Sequence, residues 1–180
     1  MTLIALDPGL TTGVAIHRTR IKCPECHGVF GELRFAQHAE CETLGRCDSN
    51  GFLPDQYITL VVHKNTEVRE LIEYHRPTVT IFEDFNSGGL IDKNGQATIR
   101  LIGYIEAVTQ VLNIPTCLQF PRERYPMIDP ARQLIKAMNK KYLIHEVDAL
   151  AHLLLYEDRV RRGVLDKITE RRRTNKVTKA

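Results

Sequence analysis

The sequence predicts an α/β domain: a mixed five-stranded sheet flanked by helices, with a small metal-binding insertion between the second and third strands. Three observations lead there. Short β-branched and apolar runs recur along the chain, three in succession and then two more alternating with stretches of helical spacing. One polar, cysteine-rich stretch interrupts them. The 180 residues are enough for one domain, and 43% hydrophobic with 26% charged residues is the composition of an ordinary globular chain. The expected division is a main domain over 1–163, an inserted module over 19–56 and a basic tail over 164–180.

Residues 2–7 (TLIALD) read as a first strand, and Pro8-Gly9 turns the chain. Residues 12–17 (TGVAIH) return as a second strand in a hairpin with the first. After the insertion, 57–63 (YITLVVH) form a third strand, completing an antiparallel meander. Residues 66–75 place Val68, Leu71 and Ile72 at helical spacing, and Pro77 stops that helix. Residues 78–82 (TVTIF) have the β-branched and aromatic content of a buried central strand. A Gly- and Asn-containing loop over 86–94 precedes a helix over 96–112, with Ile99, Ile102, Ile105 and Val108 at helical spacing. A fifth short strand over 116–120 follows. The crossovers through helices imply parallel additions to the same sheet. The three prolines of 121–130 read as an irregular loop, followed by helices over 131–138 and 144–162.

The formal net charge is +3, unevenly spread. Residues 160–180 hold eight basic and two acidic residues, so the remainder is net acidic. A basic end on a mildly acidic body suits a polyanionic partner, with nucleic acid first and a merely solvated tail second. No uncharged apolar run approaches the ~18–20 residues of a membrane span. The start of the chain has neither a basic leader segment nor a cleavage site. The expectation is a cytoplasmic protein with no membrane partner.

Four acidic or imidazole groups fall at element ends. Asp7 closes the first strand, and Glu83 follows the strand expected at the sheet centre. His145 and Asp148 are three apart on the last helix and share a face. Val147, Leu150, Ala151 and Leu154 give that helix an apolar side to press on the sheet, which brings Asp148 to the buried seam. Gathering several carboxylates in one partly buried place is costly unless a cation joins them. Hard oxygen donors suit Mg²⁺ or Mn²⁺, and two such ions can activate water and stabilise the leaving oxygen of a phosphodiester. The expected metal ligands are Asp7, Glu83 and Asp148. His145 is either a further ligand or a general base beside the attacking water.

Leu6-Asp7-Pro8-Gly9-Leu10-Thr11-Thr12-Gly13, the strand Ile81-Phe82-Glu83-Asp84-Phe85 and His145-Glu146-Val147-Asp148-Ala149-Leu150-Ala151 together resemble the RuvC-type Holliday-junction resolvases of the RNase H-like nuclease superfamily. The resemblance covers 1–18 and 57–158. It implies an RNase H-like sheet, metal carboxylates at Asp7, Glu83 and Asp148, and an acid-or-histidine position at His145. It also implies a homodimer acting on branched DNA, with paired Mg²⁺-dependent nicks on a four-way junction. The chain departs from the family pattern at the insertion, which cellular members lack; in this it resembles phage-borne relatives with inserted metal modules. Within enzymes the alternative is a nuclease of the same fold acting on flaps, forks or RNA–DNA hybrids. Outside them it is a non-catalytic DNA-binding scaffold. A sugar kinase-like protein opens with a similar strand, but needs a second phosphate loop and about twice the length.

Cys23-Pro24-Glu25-Cys26 forms a knuckle with thiolate spacing for structural zinc. Two ligand sets complete it. Cys23, Cys26, Cys41 and Cys47 make a ribbon-like site, with Gly28 and Gly45 permitting tight knuckles, and this set is preferred. Cys23, Cys26, His38 and Cys41 make a finger-like site around Phe30 and Phe35. With so few apolar residues, the module would draw its folding energy from the metal. Cys117 reads as a core residue.

Arg122 and Arg124, with Tyr125, are expected beside the active face, where they could touch phosphates. Arg132, Lys136, Lys140 and Lys141 read as a solvated face of the following helix. Arg171, Arg172 and Arg173 suit contacts with backbone phosphate. Phe85 and the loop after it are candidates to probe the junction, Phe85 by stacking. His17, His63, His75 and His152 are expected to be structural, without an assignable partner.

Overall fold

Alternation along β1 (Thr2–Asp7) organises the molecule, seen in a computed structural model that describes residues 1–19, 56–84, 93–138 and 140–164. Leu3 and Ala5 join one buried cluster, Ile4 and Leu6 the other. β2 (Thr12–Arg18) runs antiparallel to β1, and β3 (Gln56–Val62) antiparallel to β2. β4 (Val79–Glu83) lies parallel to β1 on its other side, and β5 (Thr116–Gln119) parallel to β4. The sheet order is β3-β2-β1-β4-β5, which is the expected meander with two parallel additions.

Helices cover both faces. α1 (Asn65–His75) and α2 (Lys93–Val111) bury Val68, Ile72, Leu101 and Ile105 against Ile4, Leu6, Val14, Ile16 and Phe82. A 3₁₀ segment (Pro121–Met127), α3 (Ile128–Ala137) and α4 (Ile144–Arg161) follow β5. Ala131 and Ile135 of α3 and the apolar residues of α4 pack with Leu3, Ala5, Ala15 and Ile81. Small residues on this sheet face let α4 approach closely. A Cβ on Gly13 would stand 1.9 Å from the His145 carbonyl oxygen, so the first turn of α4 rests on bare β2 backbone.

Two boundaries correct the expectation. The proline-rich stretch is helical: Pro121 opens the 3₁₀ segment, and α3 starts at Ile128 with Pro130 in its first turn. A first-turn N–H has no partner within the helix, so proline costs nothing there. α2 starts at Lys93, which takes the last two residues of the expected 86–94 loop into the helix.

β2 and β3 pair out to Arg18 and Gln56, and the Thr19 N–H donates to the Met1 carbonyl at 2.9 Å. The insertion therefore leaves and re-enters the sheet at one place. The zinc ligands expected at Cys23, Cys26, His38, Cys41 and Cys47 lie outside the described residues. So do Phe85 and the basic triplet at Arg171, Arg172 and Arg173.

Candidate active site

Strand parity sets the site. Asp7 continues the Leu3, Ala5 series, and Glu83 follows Ile81 by two. Both carboxylates thus stand at carboxyl ends of adjacent parallel strands, on the face that α4 covers. Gly13 is the β2 partner of Asp7 and carries the α4 N-terminus directly over it. His145 Nδ1 lies 2.7 Å from Asp7 Oδ2. An ionised carboxylate accepts only, so Nδ1 donates; in the neutral tautomer this leaves the Nε2 lone pair free.

Arg124 joins the other two acids. Its Nη1 donates to Glu83 Oε2 at 2.9 Å and to the Pro121 carbonyl at 2.6 Å. Its Nη2 and Nε face Asp148 Oδ2 and Oδ1 at 3.3 and 3.2 Å. Burial works against the guanidinium charge, but the Asp148 hydrogen bond and the Asp148, Glu83 and Asp7 charges outweigh it, so its pKa is raised. The expected place of Arg124 beside the acidic residues is thus observed, and its partners are carboxylates.

Among the described residues, Asp7 has no guanidinium or ammonium bonded to it. Burial raises its pKa, and the negative charges of Asp148 and Glu83 raise it further; His145 opposes them in part. Among the described residues, no three His, Cys, Asp or Glu side chains stand close enough to ligate one ion as placed. The Arg124 guanidinium supplies the positive charge between Glu83 and Asp148.

His152 corrects the sequence reading. It is fully buried, with Nε2 3.2 Å from Glu83 Oε2 and Nδ1 2.7 Å from Gln119 Oε1. The signal was its spacing: His145, Asp148 and His152 step by three and four along one helix stripe. The other histidines also have partners or fixed places. His17 stacks on Tyr57 at 4.2 Å and pairs with Glu157, while Arg18 Nη2 bonds His75 Nδ1 at 2.7 Å. The backbone N–H of His63 donates to Glu67, which caps α1.

Lys140 is a second correction. It precedes α4, and its ammonium binds Glu146 and Thr59 where a solvated helix face was expected. Burial acts to raise the Glu146 pKa, but hydrogen bonds from Lys140 and the Leu143 N–H outweigh it and hold it low. Glu146 therefore anchors the start of α4, between two residues that face the site. Arg122 is exposed, Arg132 pairs locally with Asp129 at 3.1 Å, and Cys117 packs half-buried against the α4-side core.

No protein-family model and no curated protein matches the sequence. Solved structures do match. RuvC from Thermus thermophilus superposes with a TM-score of 0.59 at 14% identity, over 91% of this chain and 98% of that one. The T. thermophilus RuvC complex with a Holliday junction substrate gives 0.59 at 15% identity over the same shares. The fowlpox virus Holliday junction resolvase gives 0.51 at 18% identity, over 88% of this chain and 99% of that one. The chain has the RuvC-type resolvase fold. In this fold His145 meets Asp7, Arg124 joins Glu83 and Asp148, and His152 reaches Glu83 from the core. No helix among the described residues is long and apolar enough to cross a membrane.

Proposed function

We propose that the protein is a metal-dependent endonuclease that hydrolyses phosphodiesters in four-way junctions or related branched DNA. The observation that carries this reading is that Asp7 and Glu83, at the strand ends, face Asp148 and His145 of α4, with His145 on Asp7 and Arg124 joining Glu83 to Asp148. The fold shared with a RuvC–junction complex supports branched DNA as the substrate class. On the same reading the chain acts as a homodimer that makes paired nicks.

The donor set fits a hard divalent cation. All three ligands offer oxygen, and both donors to Glu83 among the described residues fall on Oε2. Asp7 bears an electrostatic cost that a further positive charge would relieve. Asp7, Glu83 and Asp148 would hold two Mg²⁺ or Mn²⁺, which when bound supply an activated water and stabilise charge on the phosphodiester. His145, oriented by Asp7, offers Nε2 to accept a proton from the attacking water. Arg124 presents the planar fork that phosphate oxygens accept. It can pass from the carboxylates to the substrate backbone as the site fills. Outside the described residues, Cys23, Cys26, Cys41 and either Cys47 or His38 would hold a structural zinc, and the basic tail would add phosphate contacts.

The test is cleavage of a labelled synthetic four-way junction beside flap and linear duplexes, in Mg²⁺ and in EDTA, with Asp7→Asn in parallel. Symmetric nicks on the junction, lost in EDTA and in the variant, are expected. Junction binding without cleavage of any branched substrate would leave a DNA-binding scaffold instead.

A further inference from the structure

One buried polar pair on the α4 face touches the acidic cluster from the core side. Gln119 and His152 are both fully buried at positions where an α/β core carries aliphatic side chains. Gln119 is the β5 register partner of Glu83, so the two side chains stand side by side on one sheet face. His152 lies over both from α4, one turn beyond Asp148.

We propose that His152, fixed by Gln119, is a positioning residue that holds Glu83 by Oε2 and so presents its other oxygen to the metal. The proposal rests on the metal reading above. An ionised Glu83 accepts only, so His152 Nε2 is the donor of the 3.2 Å bond. With Nε2 donating, Nδ1 of the neutral ring accepts, so the Gln119 carboxamide beside it turns its NH2 to Nδ1 and sets the ring plane. Two donors share Glu83 Oε2, but they differ in permanence. Arg124 reaches it from the 3₁₀ segment, at a partly open edge where a phosphate can draw the guanidinium away. His152 is sealed in the core and cannot leave. When DNA occupies the site, His152 is the group that keeps the carboxylate in place. Buried polar groups cost stability unless satisfied, and an apolar pair would pack here at less risk. The chain keeps the polar pair where the core touches a ligand carboxylate.

The experiment is a Mn²⁺ titration of the full chain followed by electron paramagnetic resonance, with thermal unfolding in EDTA alongside. The double variant His152→Leu/Gln119→Leu removes both polar partners together, which keeps the core satisfied. It is expected to unfold within a few degrees of the wild type yet bind Mn²⁺ about 10- to 100-fold more weakly. His152→Gln keeps an N–H of similar reach and is expected to recover most of that affinity. A stable double variant that binds Mn²⁺ as the wild type does would overturn the proposal while leaving the metal reading intact. Failure of the wild type itself to bind Mn²⁺ would overturn both. Should the double variant not fold, His152→Asn, too short to reach Glu83, is compared with His152→Gln. Weaker binding by Asn supports the proposal, and equal affinities overturn it.

Discussion

The two faces of the sheet are built from alternate residues of the same strands, yet they do different work. Toward α1 and α2 the strands present Ile4, Leu6, Val14, Ile16 and Phe82, with two buried threonines, Thr12 and Thr80, and no charged group among them. Toward α4 they present Leu3, Ala5, Asp7, Gly13, Ala15, Ile81, Glu83 and Gln119. The first face is filled for stability. The second gives up side-chain volume at Gly13, Ala5 and Ala15, which brings α4 down onto the strand ends. It then spends stability on charges that need a cation. A helix pressed on small residues can aim His145, Asp148 and His152 at Asp7 and Glu83 with little freedom, as a preorganised site requires.

Neighbouring residues on opposite faces give the largest contrast. Phe82→Ala should lower unfolding free energy by about 3–5 kcal/mol in urea titrations, with Mn²⁺ affinity of the folded fraction unchanged. Glu83→Gln, one residue on, should leave stability nearly unchanged. It should slow junction cleavage about 100- to 1000-fold, as expected where ~3–4 kcal/mol of charge stabilisation is lost. Equal effects on both properties from both variants would erase the distinction between the faces.

Gly13→Ala should come next. Its methyl group cannot fit 1.9 Å from the His145 carbonyl oxygen, so α4 must lift. Overpacking of this kind costs about 1–3 kcal/mol. Because His145 and Asp148 move with the helix, cleavage should fall more than stability does. Unchanged cleavage would show that the α4 contact does not set the site.

Arg124→Met should destabilise the metal-free protein by about 1–2 kcal/mol, since Glu83 and Asp148 lose their shared cation in a partly buried place. Saturating Mg²⁺ should restore most of that loss, measured by thermal unfolding.

Asp7→Asn gives the smallest effect on stability and an opposite sign. The folded Asp7 pKa is raised by burial above the ordinary 3.8, so the ionised group costs stability at neutral pH. In EDTA the Asn variant should therefore be the more stable one at pH 7. That advantage should shrink as pH falls through the raised Asp7 pKa and vanish below 3.8, where folded and unfolded Asp7 are both protonated.

Much of this was legible in the residues, and the gaps have physical causes. The strand-end acids and the His145, Asp148 spacing depend on local periodicities of two and 3.6, which sequence displays directly. The 121–130 segment was hidden by its prolines, because Pro121 and Pro130 sit at first-turn positions where proline does not break a helix. His152 carried the right helical spacing, but its partner Gln119 becomes visible only through the parallel β4–β5 register. Gly13 stood within a motif, yet its purpose is a contact with α4 more than a hundred residues away. Lys140 read as solvated because its partners, Thr59 on β3 and Glu146 on α4, meet only in the folded chain.

The most direct measurement is thermal unfolding of the wild type and Asp7→Asn, each in EDTA and in Mg²⁺, at pH 7 and without DNA. If the three carboxylates form one metal centre, Mg²⁺ raises the wild-type midpoint and removes or reverses the advantage that the variant holds in EDTA. Equal Mg²⁺ shifts in both proteins, or none in either, would contradict a metal centre built on Asp7.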